Sequence, residues 1–90
     1  MTPKDFIFRL TVPSDSAGAS VVAVVAAHAV EYAGIEGAAG PVFVERVRAA
    51  AAKALAAAAD RPGCQAVVAA ADGQLTVTIG GESVSQPLPA

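Results

Sequence analysis

The stretch "AAAAKALAAAAD" (residues 49–60) is nearly pure alanine, and its reading decides the fold. Alanine is the strongest helix former and contributes little buried area per residue. The run therefore reads as a helix built to pack closely, with Lys53 and the terminal Asp60 as its only ionisable side chains. Its pattern begins upstream, where Pro41 fits the first turn of a helix. Val44, Val47, Ala51, Leu55 and Ala58 fall on one stripe, and Arg46, Lys53, Ala57 and Asp60 lie opposite. A second helix over about 41–60, ended by "RPGC" (61–64), is the expectation.

Outward from that helix the neighbouring elements follow. Upstream, "DFIFRLTV" (5–12) alternates Phe6, Phe8, Leu10 and Val12 with Ile7, Arg9 and Thr11, the pattern of a strand with one apolar face. "PSDS" (13–16) stops that strand and offers N-caps for a first helix reaching about Ala33. Gly34 suits the left-handed position after a helix, and Ile35 the contact that follows it. In this helix Val21, Val25, His28 and Tyr32 form one line, with Val22, Val24 and Ala29 beside it. Ala23, Ala26, Ala27 and Val30 make the opposite side apolar too, and a helix apolar all round is buried on two sides.

"EGAAGP" (36–41) is a glycine-rich link between the helices. Downstream, "QAVVAA" (65–70) and "QLTVTI" (74–79) read as strands joined by the two-residue turn Asp72-Gly73. Leu75, Val77 and Ile79 share an apolar face, away from Thr76 and Thr78. The order strand, helix, helix, strand, strand predicts an α+β two-layer sandwich, with both helices on one face of a small, mainly antiparallel sheet. Residues 1–80 form the single domain in this reading, and 81–90 a flexible C-terminal tail.

Composition narrows the function. The chain has 90 residues, 54% of them hydrophobic, with three Phe, one Tyr and no Trp. So alanine-rich a core is thin, which predicts burial against a second copy or a partner. The net charge of −2 and the few aromatics argue against nucleic-acid binding. A single cysteine, Cys64, excludes an internal disulfide and fits a reducing compartment. The apolar run in "MTPKDFIFRL" is too short for a signal peptide, and Val21 to Val30 too short to span a bilayer. A cytoplasmic protein is expected.

With these elements placed, "FRLTVPSDSAGASVV", the "GIE" break (34–36) and the closing hairpin together resemble a known family. They are similar to the bacterial anti-sigma-factor serine kinases of the GHKL (histidine-kinase-like) ATPase superfamily. The likeness covers residues 6–80, about the first half of such a domain. In that family the second helix carries a Glu that orients a water or hydroxyl, and four residues on an Asn that holds Mg²⁺ on the ATP phosphates. Setting the family pattern D-E-A-x-x-N over residues 52–57 puts Lys53 in the Glu position and Ala57 in the Asn position. Lysine is no carboxylate base, and a methyl group ligates no hard cation. The chain contains no asparagine to rescue the site in another register. After the hairpin the family has D-x-G-x-G, whose Asp reads adenine; "GGES" (80–83) stands there, with Gly80 in the Asp position. The family's lid and second glycine box would fall beyond residue 90.

The resemblance thus implies a degenerate, non-catalytic relative without cofactor or metal, its alanine helix kept as scaffold. Its expected partners are a second copy of itself and a sigma factor or an anti-anti-sigma protein. Phe6, Ile7 and Phe8 on an edge strand, with Ala23, Ala27 and Val30 on the first helix, are the expected interface. Two alternatives stand beside this reading: an ATP-binding protein whose site another subunit completes, and a small interaction or structural subunit unrelated to sigma regulation. His28 is expected half-buried and bonded to Glu31 or a backbone carbonyl, and Cys64 is expected as a packing residue with Arg61 as its basic neighbour. One histidine and one cysteine do not make a metal site. "EGAAGP" lacks the Lys and Ser/Thr of a phosphate loop.

Overall fold

The computed structural model describes residues 5–58, 60 and 63–88. The element order is β1 (Phe6–Pro13), α1 (Ser16–Ala33), α2 (Ala39–Ala57), β2 (Gly63–Ala71), β3 (Gln74–Ile79) and β4 (Glu82–Pro87). All neighbouring strands pair antiparallel in the order β1-β2-β3-β4, so β1 and β4 are the edges. Both helices cover one face of the sheet, α1 chiefly over β1 and α2 chiefly over β4. The expected α+β layering is therefore present, with one strand more than the sequence pattern suggested.

Local chemistry sets most of the boundaries. The Asp15 carboxylate accepts from the backbone N–H of Ala17 at 2.9 Å and starts α1. Gly34, at φ 77°, ends it, and the N–H of Ile35 donates to the Val30 carbonyl. Asp72 and Gly73 both have positive φ, the backbone of a two-residue hairpin turn. Pro41 lies in the first turn of α2, as expected. Pro62 and Arg61 lie outside the described residues.

Residues 81–90, expected as a flexible tail, need correcting, because Glu82–Pro87 form β4. Gly80-Gly81 makes a tight turn, since Ile79 pairs with Glu82. Val84 sits opposite Val77 and is buried. On the other face Thr76 meets Ser85 at 3.1 Å, one hydroxyl donating to the other. The sheet face away from the helices is otherwise uncovered, with Ile7, Arg9 and Thr11 exposed.

The core lies between the sheet and the helices, centred on Phe43, Leu75, Val77 and Ile79. In α2 the buried side is Gly40, Phe43, Val47, Ala51, Ala54 and Leu55, with Val44 only half-buried. Phe43 is the largest side chain in the interior and belongs to the stripe from which the sequence pattern omitted it. In α1, expected to be buried on two sides, only one side is buried. Ala19, Val22, Ala23, Ala26, Ala29, Val30 and Ala33 are buried, while Val21, Val24 and Tyr32 are exposed. Small side chains let α1 approach its neighbours closely. A Cβ on Gly40 would come within 2.9 Å of Val30 Cγ1, and one on Gly18 would collide with the Pro13 carbonyl.

Candidate functional site

Two concave regions bear on function, one at each side of the sheet. The first lies at the C-terminal end of α2. Here Ala54, Ala57 and Ala58 face Gly63, Gly80 and Gly81 across a pocket of about 680 Å³. The fold thus brings together two of the three positions at which the resemblance locates lost chemistry, Ala57 and Gly80. The third, Lys53, is close by on the same helix, its Nζ 3.7 Å from Glu82 Oε1 on β4. That ion pair is largely exposed, so its contribution is at most about 1 kcal/mol.

Alanine methyls and glycine backbone dominate this pocket; Asp60, Gln65 and Thr78 supply the oxygen-bearing side chains. Gly80 has φ 56°, a left-handed backbone that favours glycine. Cys64 is half-buried in the same lining. Its expected basic neighbour, Arg61, lies outside the described residues. Among the described residues no group of three or more His, Cys, Asp or Glu converges in a way that would hold a metal ion.

The second region is a groove of about 770 Å³ between α1 and the β1 edge. Phe6, Phe8, Val25, Ala29, Tyr32 and Val68 line it, with His28 and Glu31 also bordering it. The Phe6 and Tyr32 rings meet edge-on, 5.3 Å apart at an interplanar angle of 87°, a favourable aromatic geometry. Ile7 is 57%, Phe8 50% and Tyr32 62% exposed. Val21 and Val24 of α1 are exposed as well. His28 is exposed rather than half-buried, and among the described residues no hydrogen bond or ion pair engages it.

The expected interface residues divide. Ile7 and Phe8 are exposed, Phe6 is half-buried under Tyr32, and Ala27 is exposed on α1. Ala23 and Val30 lie in the interior, where α1 packs within its own chain, and offer no surface to a second one. The sequence pattern expected α1 to be buried on two sides, whereas Val21, Val24 and Tyr32 are exposed. A spacing of alanines at 19, 23, 26, 29 and 33 was the signal that the other side turns inward.

Among the described residues no helix is long and apolar enough to cross a membrane. No protein-family model, curated protein or solved structure matches the chain. The family resemblance accordingly rests on the residues quoted for it.

Proposed function

We propose that this chain is a non-catalytic regulatory protein of the anti-sigma kind, acting by protein–protein contact in the cytoplasm as a homodimer. Its regulatory partner in this reading is a sigma factor or an anti-anti-sigma protein. The observation that carries the contact function is the exposed apolar surface at β1 and α1: Phe8, Val21, Val24 and Tyr32 on the helix-bearing side, with Ile7 on the open face of the same edge strand. Large exposed apolar patches mark interaction sites. The loss of catalysis is supported by the other pocket. Lysine at position 53, a methyl at Ala57 and bare backbone at Gly80 put neither carboxylate nor amide at the three positions where the resemblance would have them.

A second reading is kept by the size of that pocket, about 680 Å³, with Asp60, Gln65 and Thr78 in its lining. A second subunit that supplied the missing acid and amide would turn it into a nucleotide site.

Reconstitution with purified proteins separates the two. The chain is mixed with the sigma factors and anti-anti-sigma proteins of its host, with nucleotide either present or removed by apyrase. The expected result is a stable complex with one of them that forms equally well in both conditions. A complex that forms only with ATP would favour the completed-site reading, and no complex with any of them would overturn the anti-sigma assignment.

A further inference from the structure

We propose that two copies of this chain join edge to edge through β1, antiparallel, about a two-fold axis that passes through Ile7. The inference rests on the homodimer named above and specifies its interface. Among the described residues β1 pairs with β2 along one edge only, and none pairs with its other edge. An open edge strand presents a row of backbone donors and acceptors that another strand can satisfy.

The strand's own pattern fixes the register. Even-numbered side chains, Phe6 to Val12, lie on the helix-bearing face, and Ile7, Arg9 and Thr11 on the open face. Directly opposed residues of an antiparallel pair share a face, so each opposed pair must have an even sum of residue numbers. The axis must then pass through a residue, not between two. Through Ile7, it places Asp5 opposite Arg9 of the second copy and Arg9 opposite Asp5. It also sets Phe6 opposite Phe8 of the second copy, and Ile7 against Ile7. Through Phe6, Asp5 would face Ile7; through Phe8, Arg9 would face Ile7 and Asp5 would face Thr11. Through Arg9, two guanidinium groups would oppose each other. Only the Ile7 register matches charge to opposite charge and ring to ring. Asp5 and Arg9 are both exposed, and among the described residues neither is held in an ion pair.

Such an axis stands perpendicular to the sheet, so the helices of both copies lie on one side and the sheet continues to eight strands. Phe8 of each copy then lies beside the Phe6–Tyr32 pair of the other, at the mouth of the groove. A strand pair alone falls short of the ~1,200 Å² that a specific interface buries. Val21, Val24 and Tyr32 of α1 provide the additional apolar surface.

The test uses light scattering across a dilution series, on the full chain and on charge-reversed variants. Asp5→Arg alone and Arg9→Asp alone should each weaken dimerisation about tenfold, because both symmetry-related pairs turn repulsive. The double variant D5R/R9D should return to within about threefold of the parent, since each pair is restored with its signs exchanged. In a Cys64→Ser background, the Ile7→Cys variant should cross-link to a second copy of itself under mild oxidation. A dimer insensitive to both reversals, and with no disulfide formed by the Ile7→Cys variant, would overturn this interface while leaving the homodimer standing. A monomer at micromolar concentration, with far-ultraviolet circular dichroism unchanged, would overturn both.

Discussion

Gly80 lies so close to Ala54 that a Cβ on it would stand 3.2 Å from the Ala54 methyl, and its φ of 56° is a conformation that side-chain-bearing residues rarely adopt. This is the position where the resemblance would place the adenine-reading Asp. The backbone here makes a glycine turn between β3 and β4, and α2 packs against it. Gly80→Asp should therefore lower stability by about 1–2 kcal/mol, from left-handed strain and crowding together. Urea unfolding of the variant against the parent measures it directly.

Ala51 is fully buried in α2, whereas its neighbour Ala52 points outward. Ala51→Leu should cost about 1–3 kcal/mol by overpacking, which in a domain of this size lowers Tm by roughly 5–15 °C. Ala52→Leu should leave Tm nearly unchanged. Calorimetric melting of the two variants side by side distinguishes a tightly packed alanine face from a merely helical one.

The last strand gives a third expectation. Val84 is buried opposite Val77, and β4 packs beneath α2. Val84→Ala should destabilise by about 1–3 kcal/mol, and Ser83→Ala, on an exposed residue, by much less. If the segment were a loose tail, thermal melting would show no difference between the two.

Gly18 supplies a fourth. It is buried where α1 begins, and a Cβ there would meet the Pro13 carbonyl and approach Leu55 Cδ1 to 3.0 Å. Gly18→Ala, a change that favours a helix elsewhere, should here destabilise by several kcal/mol or shift the start of α1, because the obstacle is backbone rather than a flexible side chain. A raised Tm would contradict the close strand–helix approach.

Much of this architecture was legible because it rests on local chemistry. The capping of α1 from within "PSDS", where the structure selects Asp15, the Gly34 terminus and the Asp72-Gly73 turn each follow from local conformational or hydrogen-bonding preference. What could not be read depends on tertiary distance. The sequence showed α1 as apolar all round, and the helix turns its alanines inward because close packing repays small side chains when its neighbours are also alanine and glycine. Phe43 was passed over for Val44 because the two are adjacent in the sequence, and only packing decides between adjacent stripes. β4 hid itself as an edge strand does, with Val84 as its single buried apolar residue among Ser, Gln and Glu. Its one signal was the Gly80-Gly81 pair directly after a strand. Ala57 and Gly80, far apart in the sequence, line one pocket. The interface expectation fails at Ala23 and Val30, which the close packing of α1 within its own chain buries.

The central claim, that the nucleotide chemistry is gone and in more than one place, meets its most direct test in a calorimetric titration of Mg-ATP. It is run on the parent chain and on the variant carrying both Lys53→Glu and Ala57→Asn. Both substituted positions are exposed, so the variant should fold as the parent does. The predicted result is no binding heat from either protein, because Gly80 still offers adenine no carboxylate. Micromolar Mg-ATP affinity in the parent, or tight binding produced by the two substitutions alone, would contradict it.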